Sequence, residues 1–244
     1  MGLNLGVIET VAEIASTNSA LLARLGRGEA IGEGTWLVAD RQTAGRGRAG
    51  RQWSDGCGNF MGSTLARLGA DDPLAPTLSL VAGVALHRTI SAVTGARPGL
   101  QLKWPNDVLV DGAKLAGILL ERHGDAVVVG IGVNLVQAPV VPGRPTIALA
   151  TLGRVIARDD FARMLADEWR DALAQWHARG WAALRKDWLT RAHPRGTLLS
   201  VHDRDAGLIM GAFAGLDRDG AALLRLADGE QRAIHAGDME LVRD

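Results

Sequence analysis

Gln42-Thr43-Ala44-Gly45-Arg46-Gly47-Arg48-Ala49-Gly50-Arg51-Gln52-Trp53 contains the spacing G-x-G-x-x-G, yet its setting excludes a dinucleotide-binding turn. Such a turn follows a strand, opens a helix at its last glycine, and is answered about 20 residues on by an acidic residue that holds a ribose. Thr35-Trp36-Leu37-Val38-Ala39 supplies a buried strand. After Gly50, however, Arg51-Gln52-Trp53-Ser54-Asp55-Gly56 is polar and turn-forming, with no helical period. Asp71 and Asp72 fall near the required distance, but no helix gives them that meaning. The glycines instead alternate with Arg46, Arg48 and Arg51, so a pliable backbone carries three permanent cations whose planar forks suit phosphate and carboxylate. The stretch reads as an anion clamp.

Ordering a residue costs roughly 1–2 kcal/mol of backbone entropy, and more for glycine. This loop has almost nothing apolar to bury before Trp53. It is therefore expected to lack order alone and to fold over an anionic ligand that touches several arginines. A plain solvated turn is the alternative.

The 244 residues suffice for a large core in one or two domains. Lys plus Arg and Asp plus Glu are equal at 27 each, so no general basic field exists for nucleic acid. No apolar run approaches a membrane span, and Met1-Gly2-Leu3-Asn4-Leu5 lacks the basic start of a signal peptide, so a cytoplasmic location without membrane attachment is expected. The single cysteine, Cys57, rules out an internal disulfide and a cysteine metal cluster, and reads as an incidental thiol.

Ser16-Thr17-Asn18 precedes the apolar run 20–25 and Gly26, as in a helix with an N-cap and a C-terminal glycine. One side-chain oxygen suffices for a cap, so three consecutive polar side chains leave spare donors and acceptors. Apolar spacing predicts a core helix over 77–93, strands over 100–103 and 108–110, a turn at Asp111-Gly112, and return strands over 114–121 and 126–135. Trp169, Trp176, Trp181 and Trp188 repeat at helical spacing over 159–176 and the following helix, which predicts core packing; an aromatic ligand box is the alternative. After His193-Pro194-Arg195-Gly196, short strands alternate with turns at Asp219-Gly220 and Asp228-Gly229. The boundary is thus expected between 192 and 193, with a small β-module packed beside the active site.

The second dense cluster runs from Lys103-Trp104-Pro105-Asn106-Asp107 through the Asp111-Gly112 turn to Lys114-Leu115-Ala116-Gly117-Ile118-Leu119-Leu120-Glu121. A hairpin folded at that turn sets Asp107 beside Lys114. The pair has two readings: a structural ion pair, worth about 1 kcal/mol or less if exposed, or a lysine that neutralises a reacting carboxylate or phosphate while Asn106 and Asp107 hold magnesium or accept a proton. Gly117, inside a strand, favours close approach of a ligand. Gly130-x-Gly132-x-Asn134 ends the next strand; its glycines permit close approach, and Asn134 can bind a ribose or phosphate, or the segment simply turns toward Pro139, Pro142 and Pro145.

Together, Gly45-Arg46-Gly47-Arg48-x-Gly50-Arg51-x-Trp53, Lys103-Trp104-Pro105-Asn106-Asp107, Lys114 to Leu119 and Gly130-x-Gly132-x-Asn134 resemble the bacterial biotin protein ligases, in order and over most of the chain. The resemblance implies an α+β fold: a mixed sheet flanked by helices, like that of class II aminoacyl-tRNA synthetases, with a small C-terminal SH3-like β-barrel. It implies a catalytic domain over 1–192 and the small domain over 193–244, without the DNA-binding domain of the bifunctional repressors, so no DNA partner is expected.

The resemblance further implies two steps. Biotin attacks the α-phosphate of magnesium ATP to give biotinyl-5′-adenylate and pyrophosphate; a lysine of a biotin carboxyl carrier protein or domain then takes the biotinyl group. Lys114, Asp107, Arg46 and Arg48 take the catalytic roles. Ser16, Thr17, Asn18, Gln42, Gly45, Arg46, Gly47, Arg48, Trp53, Lys114 and Gly117 surround biotin, with Trp53 and Trp104 as walls for its apolar part. Arg46, Arg48, Arg51, Trp53, Asn106, Lys114, Gly132 and Asn134 surround ATP, and Asn106 with Asp107 lies near Mg2+. The ureido ring suits the polar 16–18 cluster, which a lipoate ligase would not need. A non-catalytic biotin or nucleotide sensor and an RNA-binding module are the other readings, and homodimerisation through a sheet edge stays open.

Overall fold

A computed structural model describes residues 7–54, 56–95, 97–203 and 207–242; the N-terminal stretch 1–5 and Asp55 of the polar turn lie outside the described residues. Its center is a seven-stranded mixed sheet of β1 (Ile8–Ile14), β2 (Trp36–Gln42), β3 (Phe60–Arg67), β4 (Leu100–Lys103), β5 (Asp107–Val110), β6 (Ala113–His123) and β7 (Ala126–Val133). The order is β1-β2-β3-β7-β6-β5-β4, with β1 parallel to β2 and the other pairs antiparallel.

Side-chain alternation along β7 explains how this sheet makes both a core and a cleft. Val127, Val129, Ile131 and Val133 join the main core, whereas Ala126 and Val128 face the other way into a smaller core with Leu21 and Leu25. Those two leucines belong to α1 (Thr17–Gly26), which covers one end of that second face. Further along, the same face of β7 is continued by Gly130 and Gly132. Where the glycines stand, no side chain fills the space, and the cleft begins.

The main face is covered by α2 (Thr77–Thr94), α3 (Arg158–Gln175) and α4 (Trp181–Arg191). Each buried Leu, Val or Ile there contributes about 1.5–3 kcal/mol by leaving water. Trp169, Trp176 and Trp188 are fully or almost fully buried, as their spacing predicts, and Trp176 Nε1 donates to Thr77 Oγ1 at 2.9 Å. One expectation is corrected here: α2 is long and apolar enough by length and composition to cross a membrane. Its window is 72% buried within the protein, which makes it the helix of a core.

The Asp111-Gly112 turn has φ of 51° and 78° at its two residues, the paired positive values that a tight hairpin requires. It joins β5 to β6, where Asp107 pairs with Gly117; Lys103 pairs with Asp107 and Gly117 with Gly132, so the row runs across four strands. Strands β1 and β3 escaped the sequence reading. β1 carries Glu9 and Glu13 at an edge, and β3 is buried but interrupted by the small polar Gly62-Ser63-Thr64.

A second sheet follows, made of β8 (Leu198–Asp203), β9 (Gly207–Leu216), β10 (Ala222–Arg225), β11 (Gln231–Ile234) and β12 (Met239–Leu241) in the antiparallel order β11-β10-β9-β8-β12. The two Asp-Gly turns connect β9 to β10 and β10 to β11. Trp104 Nε1 donates to the Gly220 carbonyl at 3.0 Å and Trp181 Nε1 to that of Arg218 at 2.7 Å, so indoles of the large unit pin the small one.

Candidate active site

The cleft on the α1 face has a volume of about 450 Å³ and a polar blind end. Ser16 caps α1 by accepting from the Ser19 N–H, which frees Thr17 and Asn18 to point across the sheet. Gln42 Oε1 accepts from the Thr17 N–H at 2.7 Å; Ser63 Oγ lies 2.6 Å from Thr17 Oγ1 and donates to Asn18 Oδ1 at 2.6 Å. Asn18 Nδ2 donates to Glu121 Oε2 at 2.9 Å, and Glu121 also receives Arg46. Ser16, Thr17, Asn18, Gln42 and Ser63 are buried and interlocked, so their orientations are fixed before any ligand arrives. Gln42 Nε2 has no protein acceptor among the described residues. A Cβ on Gly130 would stand 2.2 Å from Asn18 Oδ1, so the network requires glycine there.

The arginine loop is a closed hairpin. Gly47 N–H donates to the Arg51 carbonyl at 2.7 Å, Trp53 N–H to that of Gly45 at 3.0 Å, and Arg46 bridges Gln52. Gly45 is obligatory, since a Cβ would lie 2.7 Å from the Trp53 carbonyl, whereas Gly47 has room for one. Two contacts outside the loop, which the sequence reading did not use, hold this hairpin. Trp53 lies flat against the glycine floor, where a Cβ on Gly132 would be 2.3 Å from its indole and one on Gly117 3.3 Å away. The small sheet supplies the other: Arg51 donates to Asp238 Oδ2 at 2.6 Å, and Arg48 donates to the Gly237 carbonyl at 3.2 Å and to Asn106 Oδ1 at 3.1 Å. Burial lifts the Asp238 carboxyl, but the Arg51 hydrogen bond and the charges of Arg51, Arg48 and Arg144 outweigh it and hold the group below its ordinary range. Burial pulls Arg48 down against Asp238 and Asp107, yet a guanidinium remains charged.

Between the polar end and the loop stands Lys114, whose Nζ is 2.6 Å from Asp107 Oδ1 and 5.9 Å from the Trp53 ring center. A Cβ on Gly117 would sit tightly, 3.1 Å from Lys114 Nζ and 3.3 Å from the Trp53 ring. The clamp, the ion pair and the polar end thus meet on one sheet face. Two residues expected at the site line the cleft and also brace it. Trp104 is buried and bound to Gly220, so it anchors the small sheet as well. Asn134 turns its amide to the Ile147 carbonyl at 3.1 Å, leaving Oδ1 buried without a partner.

Asn106 and Asp107 offer one amide oxygen and one carboxylate, and no group of three or more His, Cys, Asp or Glu converges among the described residues. That donor set fits Mg2+ carried chiefly by phosphate oxygens, the usual mode for this ion at nucleotide sites. Ser63, Glu121, Lys103 and Asp238 also line or brace the cleft and were not named as site residues from sequence. Lys103 and Glu121 had a signal, as the first and last residues of the hairpin cluster.

A mixed sheet that presents a fixed polar pocket, a lysine–carboxylate pair and an arginine loop on one face defines a ligase that joins a small carboxylic acid to a protein. The comparisons agree. Residues 12–135 match the biotin/lipoate A/B protein ligase family, and residues 204–242 match the biotin protein ligase C terminal domain. A biotin--[acetyl-CoA-carboxylase] ligase of Paracoccus denitrificans is 37% identical over 89% of this chain and 95% of its own, and one of Mycobacterium tuberculosis is 33% identical over 97% and 89%. The structure of the biotin protein ligase from Aquifex aeolicus in complex with biotin and ATP superposes with a TM-score of 0.84 at 27% identity, covering 98% of this chain and 99% of that one. The chain belongs to the biotin/lipoate A/B protein ligase family.

Proposed function

We propose that this chain is an ATP-dependent biotin protein ligase, which forms biotinyl-5′-adenylate and passes the biotinyl group to a lysine of a biotin carboxyl carrier protein or domain. The observation that carries the reading is the placement of Lys114 between a buried polar pocket and a loop of arginines. Biotin has a ureido head with one acceptor and two donors; Gln42 Nε2 offers the free donor, and the oxygens of Ser16, Thr17 and Asn18 offer acceptors. A lipoyl ring has no carbonyl to take up Gln42 Nε2, and leaving that donor unpaired costs about 1–3 kcal/mol, so the pocket favours biotin within the family.

With the ureido ring at the blind end, the valeryl chain runs beside Trp53 and Gly117, and its carboxylate arrives at Lys114. Carboxylate and triphosphate repel each other. Lys114, Arg46 and Arg48 supply the positive field that lets them meet in line. A carboxylate oxygen then bonds to the α-phosphorus as the bond to the β-phosphate breaks, and pyrophosphate leaves with the electron pair. Mg2+, held by Asn106 and Asp107 together with phosphate oxygens, would neutralise phosphate charge.

The Trp53 side chain and the arginine hairpin cover the adenylate and exclude water from a mixed anhydride. In the second step the acceptor amine attacks the acyl carbon and AMP leaves; Asp107, already beside an ammonium, takes or orients the proton of the incoming one. We place the boundary of the ligase unit at residue 192, with the small β-module bracing the loop through Asp238. The test is mass spectrometry of a purified carrier domain incubated with the protein, biotin and magnesium ATP. One biotinyl group on one lysine is expected, and an unmodified carrier would refute the assignment.

A further inference from the structure

We propose that Lys103 binds the pyrophosphate half of ATP, and so holds the leaving group of the adenylation step. This rests on the ligase reading above. The cations of the cleft are unequal. Arg46 is matched by Glu121, Arg48 by Asn106 and Gly237, Arg51 by Asp238, and Lys114 by Asp107. Lys103 alone, among the described cations of the cleft, has neither a hydrogen bond nor a carboxylate within 4.0 Å. His193 is pushed down to about 4 by burial and then by the Lys103 charge, so it stays neutral and adds no second cation there.

Position assigns the ligand. Lys103 is the last residue of β4, directly across from Asp107, which in turn faces Gly117. Adjacent strands are about 4.8 Å apart, so Lys103 is roughly 10 Å from the Gly117 floor where the carboxylate and α-phosphate meet. That is the distance at which a lysine side chain reaches the phosphates beyond the α-phosphorus. Burial draws the ammonium below the usual lysine range while Asp107 draws it up and Lys114 down. A polyanion entering from this side would relieve a half-buried cation that the protein leaves unpaired. Arg144 and Glu240, paired at 3.5 Å, also line the cleft.

The test follows biotin-dependent exchange of pyrophosphate with ATP in the wild-type protein, Lys103→Met and Lys103→Arg. The methionine variant should raise the half-saturating pyrophosphate and the KM for ATP about tenfold or more, as for one lost charge-assisted hydrogen bond. Arginine should restore most of the loss, and the KM for biotin and transfer from synthetic biotinyl-5′-adenylate to the carrier should stay within about twofold. Unchanged pyrophosphate saturation, or an equal loss in transfer, would overturn the proposal. Should Lys103→Met fail to fold, acetic anhydride labelling of the wild-type protein decides: magnesium pyrophosphate should protect Lys103 from acetylation, and equal labelling with and without it would overturn the proposal. Absence of exchange in the wild-type protein would instead refute the ligase reading itself.

Discussion

Lys114 Nζ stands 2.6 Å from Asp107 Oδ1, on two strands joined by the Asp111-Gly112 turn. The pair is partly buried, with side chains 35% and 17% exposed, so it is neither a solvated surface pair nor a sealed one. A reacting anion can displace Asp107 from Lys114 without first removing an ordered protein shell.

Lys114→Ala should therefore lower adenylate formation by about 10²–10³-fold, the range for losing one preorganised charge at a reacting oxygen. Asp107→Asn should spare adenylation more than transfer. Rapid-quench measurement of the two half-reactions separates them, and equal losses in both for Asp107→Asn would argue against its role with the acceptor amine.

Arg48 connects the hairpin to Asn106 and to the Gly237 carbonyl. Arg48→Ala should still make adenylate but release it, seen as biotinyl-5′-adenylate in the filtrate after centrifugal separation. Retention equal to that of the wild-type protein would count against the covering role.

Asp238→Ala removes the carboxylate that meets Arg51. Trypsin should then cut faster between Arg46 and Arg51 in the ligand-free protein, with biotin and ATP restoring protection. An unchanged rate would mean that the Trp53 contact alone orders the loop.

Gly132→Ala places a methyl 2.3 Å from the Trp53 indole, with backbone on one side and a ring on the other. The indole must lift. Adenylate retention should fall by about the same factor as in Trp53→Ala, and the double variant should be no worse than either single one. Additive losses would place the glycine's role elsewhere.

Stability should bend in opposite directions at the two ends of the pH scale. Burial, then Arg191 for His87 and Lys103 for His193, pushes both imidazoles down to about 4. The unfolded chain takes up those protons near pH 6.5 and the folded one does not, so this stability is complete above about 6.5 and is lost as pH falls toward 4, on the order of 3 kcal/mol for each residue. For His177, burial opposes the charge, but hydrogen bonds with Asp72 and Glu33 outweigh it and raise the pKa. Its contribution is present below about 6.5 and lost as pH rises through that raised value. Urea melts should show His193→Gln flattening the acid limb and His177→Gln the alkaline one; parallel curves would contradict both.

Much of this was legible because local chemistry and tertiary structure agree. The Asp111-Gly112 turn dictates a register, and the register sets Asp107 opposite Gly117. The helix-period tryptophans went into the core because nothing else could bury them. Strand β3 was hidden by Gly62-Ser63-Thr64, whose small polar side chains look like a loop until the face they serve is known. Ser63 and Asp238 reach the cleft only through pairing of distant segments, β3 with β7 and loop with small sheet, which no local pattern encodes. Trp104 was half-read: its burial was foreseeable, but its acceptor on Gly220 lies 116 residues away.

The most direct test of the central claim is isotope exchange between pyrophosphate and ATP, run with biotin, lipoate and octanoate in parallel. Exchange should depend on biotin, be negligible with the other two acids, and disappear in Lys114→Ala. Exchange that is equal for lipoate, or that proceeds without any acid, would contradict the assignment.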